Sequence, residues 1–198
     1  MGLYEKLEKV NTDGIIKTAD LISAGIYYAD IQKLLSEGVL EKVRHGYYQL
    51  VSKATKQSEA ALIASLFPDG VLCMYSALFY YGYSDRTPMQ WDIAVSKNIS
   101  RARFNLDYPY VKPHYFDTKH LTYGITQAEY EDCTLQIFDR DRLICECIKS
   151  ENRMDREIFN KAIQGYISDS AKSVPKLLEY AKLRNVSKKV RNRIGVWL

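Results

Sequence analysis

The chain has 198 residues, 46% of them hydrophobic and 26% charged, the make-up of an ordinary globular protein of one or two domains. That excludes a disordered chain, a collagen and a disulfide-dense mini-protein, and 10 Gly with 5 Pro leave little room for long flexible linkers. The net charge of +4 is uneven: residues 182–198 hold 6 basic and no acidic side chains, against 8 and 7 in residues 1–56 and 14 and 17 in residues 57–181, an asymmetry that points to an acidic partner.

Leu3, Leu7 and Val10 predict a short first helix, ended by the polar stretch 11–14. Thr18 stands where an N-cap belongs, ahead of a second helix through Ala24 that Gly25 interrupts. Ile31, Leu34 and Leu35, at spacings of three and four, predict a third helix closed by Gly38. Two β-rich runs, 39–44 and 47–50, flank His45-Gly46 and signal a hairpin. Helix, helix, turn, helix, hairpin is the order of a winged helix-turn-helix, whose second paired helix presents a polar face to the major groove. At about 100° per residue, Ala29, Gln32, Lys33 and Ser36 lie opposite the apolar stripe. Gln32 can pair with adenine or phosphate, and Lys33 with guanine or phosphate. Tyr27 and Tyr28 fall at the helix entrance, near the core edge, where a hydroxyl still reaches the backbone, and Lys42, Arg44 and His45 on or beside the wing tip. With Thr18 at the head of the preceding helix, these nine are the candidate DNA-facing residues: Thr18, Tyr27, Tyr28, Gln32, Lys33, Ser36, Lys42, Arg44 and His45. The competing reading is a protein-docking module, since Gln and Lys on a helix face are normally just solvated, the segment is only +1, and Asp30 would repel phosphate.

Residues 51–56 read as a joint, giving domains at 1–52 and 57–198. Beyond it, Ser58 caps a helix to Leu66, and a strand at 71–74 leads to a short helix for which Ser76 is the expected cap. Strands follow at 91–95, 110–116 (Pro113 marking an edge), 121–126 and 134–138. From Asp139 the period turns helical, with stripes at Leu143, Ile144, Cys147 and Ile148, then Ile158 to Tyr166, then Val174 to Ala181 with Ser173 as cap and Pro175 in the first turn. A last helix sets Val190, Ile194 and Trp197 on one face and Lys188, Lys189, Arg191 and Arg193 as a basic interaction surface. The fold class is therefore α+β: an N-terminal winged helix-turn-helix, then a small β-sheet followed by a helical bundle.

Catalytic patterns are missing: there is no Gly-x-Ser-x-Gly, phosphate-binding loop, His-Glu-x-x-His or dinucleotide fingerprint. His45, His114 and His120 lie in separate segments, and Cys145 and Cys147 face different sides of one helix, so no metal and no cofactor are expected. Asp139 and Asp141 could hold metal ions in a nucleotidyltransferase-like site, but Asp139 as an N-cap, with Asp141 near the positive helix end, explains both. A non-enzymatic protein is expected. The N-terminal residues lack an apolar signal region, no run approaches the ~18 apolar residues of a membrane span, and the cysteines form no framework, so a cytoplasmic location without membrane contact is expected.

The segment ending in His45-Gly46-Tyr47-Tyr48-Gln49-Leu50 resembles the wing of the AbiEi-type antitoxins, transcriptional regulators of bacterial abortive-infection systems. The block from Tyr75-Ser76-Ala77-Leu78 through Gly82-Tyr83-Ser84-Asp85 and Pro88 to the strand Trp91–Val95 is similar to that family's central block. Phe138-Asp139-Arg140-Asp141-Arg142-Leu143-Ile144 resembles its D-R-E-R-T-L helix start, with Asp141 in place of Glu and Leu143 in place of Thr. The resemblance implies an antitoxin and autorepressor that binds inverted repeats in its own promoter, with Gln32, Lys33, Ser36, Arg44 and His45 as DNA readers. It also implies a C-terminal domain that counteracts a co-encoded nucleotidyltransferase-like toxin without requiring a stable complex. The alternative is a non-enzymatic adaptor whose winged helix binds a partner protein.

Overall fold

A computed structural model describes residues 2–10, 14–54 and 58–197, with backbone alone at 53 and 54. Helices and strands are mixed, as an α+β class requires, and divide into two compact units. The first is Met1–Pro68 with Ser100–Tyr110 and Glu129–Thr134; the second is Asp69–Ile99, Val111–Ala128 and Leu135–Leu198. The expected boundary at 52–57 thus falls inside the first unit, and residues 11–13 and 55–57 lie outside the described residues.

In the first unit, helices α1 (Leu3–Lys9), α2 (Thr18–Ser23) and α3 (Tyr28–Ser36) pack with strands β1 (Ile16–Lys17), β2 (Leu40–Arg44) and β3 (Tyr47–Leu50). The strands form an antiparallel sheet in the order β1-β3-β2. Strand β1, two residues long, is absent from the sequence expectation, and Thr18 is the first residue of α2 rather than its cap. Lys17 is the cap, its N–H donating to the Asp20 carboxylate at 3.0 Å. Both α2 and α3 end in the same way. Gly25 (φ 75°) and Gly38 (φ 68°) take left-handed conformations, and the next N–H groups, of Ile26 and Val39, reach back to Leu21 and Leu34 carbonyls at 2.9 Å. This turns Ile26 inward beside Leu21, Ile31 and Leu34, so four apolar side chains close the core between α2 and α3.

After α4 (Val51–Ala54), α5 (Glu59–Leu66) is capped by Ser58, whose Oγ accepts the Ala61 N–H at 3.1 Å. Ser58 N–H donates to Asp132 at 3.0 Å, and Phe67 stacks on Phe104 with ring centroids 5.1 Å apart. These long-range contacts bring segments 100–110 and 129–134 into this unit.

The second unit contains β4 (Val71–Leu72), α6 (Met74–Tyr80), β5 (Trp91–Ser96), β6 (Val111–Phe116), β7 (Ile125–Glu129), β8 (Thr134–Phe138) and helices α7 (Arg140–Lys149), α8 (Arg156–Ser168), α9 (Val174–Leu183) and α10 (Ser187–Ile194). The five strands run β6-β5-β4-β8-β7, with β4 antiparallel to β5 and parallel to β8, and β6 parallel to β5 at the edge that Pro113 announces. Ser76 does not cap α6. Cys73 does, and Ser76 Oγ instead accepts the Asp92 N–H at 2.8 Å.

Helix α7 departs most from its expected single stripe: residues 141 to 148 are all buried. Its polar side carries an ion cluster in which Glu146 accepts Arg142 Nε at 2.8 Å and Arg184 Nη2 at 3.0 Å. The Arg142 guanidinium lies over the rings of Tyr123 (4.3 Å) and Phe138 (4.8 Å) and donates to the His120 carbonyl. Gly124 is the glycine this cluster demands. Its φ is 65°, and a Cβ there would sit 2.7 Å from Arg142 Cβ. Gly124→Ala is expected to cost at least about 1–3 kcal/mol through backbone strain and steric overlap, read as a lowered denaturation midpoint.

Candidate nucleic-acid interface

The head of α3 is built around Asp30, whose carboxylate accepts the Tyr27 N–H at 3.0 Å and stands against the positive helix end. The acid that would repel phosphate is thereby engaged in capping. With Ile31 and Leu34 buried, Gln32, Lys33 and Ser36 line the outer face that the helical period assigns to them, while Tyr27 (62% exposed) and Tyr28 (75% exposed), expected near the core edge, stand out at the helix entrance. Ser36 Oγ donates to the Lys33 carbonyl at 2.8 Å. Lys33 stands 3.9 Å from Glu37, a loose solvent-exposed pair that leaves its ammonium accessible.

The hairpin turn is tied to the head of α2, the Thr18 N–H donating to the Gly46 carbonyl at 2.9 Å. Thr18 itself is half-buried, while Lys42 and His45 are exposed. Arg44 is not where sequence reasoning put it. The β2–β3 register shifts between Lys42 and Arg44, and the Arg44 side chain is buried, 7% exposed, within the first unit. Its Nη1 donates to the Arg103 carbonyl at 2.9 Å, and its guanidinium packs 3.8 Å from the centre of the Tyr47 ring. The bulge turns the last strand residue inward, where Arg103 and Leu66 supply carbonyl acceptors, so Arg44 is a structural cation. Arg44→Ala is expected to destabilise the protein by about 2–3 kcal/mol, since a charge-assisted hydrogen bond and a cation–π contact disappear together; urea titration checks this.

At the other end of the chain, Lys188, Lys189 and Arg191 project from α10 into solvent, but Arg193 forms a bidentate pair with Glu151. Val190 and Ile194 are buried as the stripe requires. Trp197 is not: the chain leaves α10 in a 3-10 turn, Gly195–Trp197, and the indole is 65% exposed.

The other candidate groups have structural partners. Asp139 caps α7, accepting the Arg142 N–H at 2.8 Å, and also accepts Tyr180 OH at 3.1 Å. Asp141 accepts Tyr166 OH at 2.7 Å and the Ser173 N–H at 2.8 Å, and burial raises its pKa. Cys145 and Cys147 are buried free thiols, Cys145 pushed up to about 12 by burial. His114 bonds Asp92 at 2.6 Å and His120 bonds Tyr123 at 3.0 Å. Among the described residues no three His, Cys, Asp or Glu side chains converge as a metal site, and no helix is long and apolar enough to cross a membrane. Sequence reasoning missed a cluster of cations in the second unit, Lys112, Lys149 and Arg153, because Lys112 is far along the chain from the other two and meets them only through the fold.

Residues 7–51 match the family model described as "Transcriptional regulator, AbiEi antitoxin". The likeness first carried by the wing residues therefore holds for the segment from α1 to the end of β3. No curated protein matches the chain.

Proposed function

We propose that the segment similar to the AbiEi antitoxin regulators is a winged helix-turn-helix that binds double-stranded promoter DNA, with α3 in the major groove and the β2–β3 turn as the wing. The observation that carries this is the outer face of α3. Gln32, Lys33, Tyr27 and Tyr28 stand exposed on a helix that buries Ile31 and Leu34 on its opposite side, and its one first-turn acid is engaged in the cap. Gln32 and Lys33 are the base and phosphate readers, Tyr27, Tyr28 and Ser36 flank them, and Lys42 and His45 extend the contact along the backbone. Thr18, half-buried, contributes through its hydroxyl beside Gly46 at the wing turn. Arg44 takes no part. Two copies on an inverted repeat would place their reading helices one helical turn, about 34–36 Å, apart.

In this reading the chain represses its own promoter, works in the cytoplasm, and performs no catalysis, with Asp139 and Asp141 serving as cap and buried acceptor. The second unit counteracts a co-encoded nucleotidyltransferase-like toxin, and no stable complex is required. The full-length double variant Gln32→Ala/Lys33→Glu separates the two jobs. It is expected to lose repression of a reporter driven by the upstream region while still protecting cells from the toxin. Loss of protection by the folded variant would contradict the division, and so would retained repression.

A further inference from the structure

We propose that a cleft in the second unit, between edge strand β6 and the C-terminal end of α7, binds a nucleoside polyphosphate. The cleft has a volume of about 650 Å3, within the range of small-molecule sites. Three elements each bring one cation to it: Lys112 from β6, Lys149 from α7 and Arg153 from the 3-10 turn Glu151–Arg153 that follows. None of the three has a carboxylate partner among the described residues.

Every acid facing the cleft is already matched. Glu146 is held by Arg142 and Arg184, and Asp117 by Lys97. The uncompensated charge is therefore positive. Partial desolvation, and the cation of Arg184 beside it, hold the Lys149 ammonium below its ordinary pKa against the opposing pull of Glu146. His120, which also lines the cleft, is lowered by the same two causes. Three separated ammonium and guanidinium groups suit a chain of phosphates better than a single one. The ring of Tyr75 lines the same cleft and gives a base a surface to stack on. This inference is independent of the DNA reading, since no residue of the first unit takes part.

The test is calorimetric titration of the full-length protein with ATP and GTP, with inorganic tripolyphosphate and the unphosphorylated nucleosides as controls. A nucleoside triphosphate is expected to bind, tripolyphosphate more weakly, and the nucleosides not measurably. Lys112→Glu/Lys149→Glu exchanges two solvent-exposed cations and should lower affinity by roughly tenfold or more. The equally basic pair on α10, in Lys188→Glu/Lys189→Glu, should leave it within about twofold. No binding of either triphosphate would overturn the proposal. So would tripolyphosphate binding as tightly as the nucleotide, or equal losses in the two double variants.

Discussion

Glu146→Ala is expected to be the most damaging single substitution in the second unit, costing about 3–5 kcal/mol. Arg142, Glu146 and Arg184 are 0%, 3% and 5% exposed. Glu146 is the one carboxylate that both guanidiniums share, so removing it leaves two positive charges facing each other without water. Leaving a buried ion unpaired is far more costly than the net worth of the pair, because desolvation of the charges is no longer offset by their attraction. The aromatic faces of Tyr123, Phe138 and Phe116 around the two arginines soften this only in part. The control is Arg193→Ala, which breaks a bidentate but half-exposed pair with Glu151 and should cost no more than about 1 kcal/mol. Urea unfolding of both variants gives the comparison. Similar small losses in the two would mean that the α7 cluster is solvated and contributes little.

Gln32→Ala is expected to relax base preference at one operator position by about 1–3 kcal/mol, since a bidentate amide contact to a base edge is lost. Lys33→Ala should weaken binding almost evenly across sequences and lower the salt slope by about 1, the mark of one lost phosphate contact. The two effects differ in kind, and competition titrations against single-position operator variants at several salt concentrations tell them apart. Arg44→Ala, measured where the protein remains folded, should leave the salt slope unchanged, because its guanidinium already lies on carbonyls and a ring inside the first unit. A drop in slope for Arg44→Ala would return that residue to the DNA surface.

Much of the first unit is legible because its signals are local. The apolar spacing of Ile31, Leu34 and Leu35 marks the buried face of α3, and Gly25, Gly38 and Gly46 sit at left-handed positions that end helices or turn the hairpin. Other features need partners far along the chain. Strand β1 is two residues long, too short for any periodicity, and exists because Tyr47 and Tyr48 pair with it. The inward turn of Arg44 depends on a bulge and on a carbonyl 59 residues away. Arg142 and Glu146 look in sequence like a solvated i, i+4 pair. Only Arg184, 38 residues beyond Glu146, makes them a buried cluster. The return of residues 100–110 and 129–134 to the first unit has the same origin, contacts that no linear pattern carries.

The central claim is that the outer face of α3 reads DNA, and titration of the purified full-length protein tests it most directly. One duplex would carry the region upstream of its own gene and the other a scrambled sequence, each at about 50 and about 200 mM salt. The expected result is selective binding to the upstream duplex that weakens steeply as salt rises. Equal, weak binding to both duplexes would contradict the claim and make the exposed Tyr27 and Tyr28 face a docking surface for a partner protein.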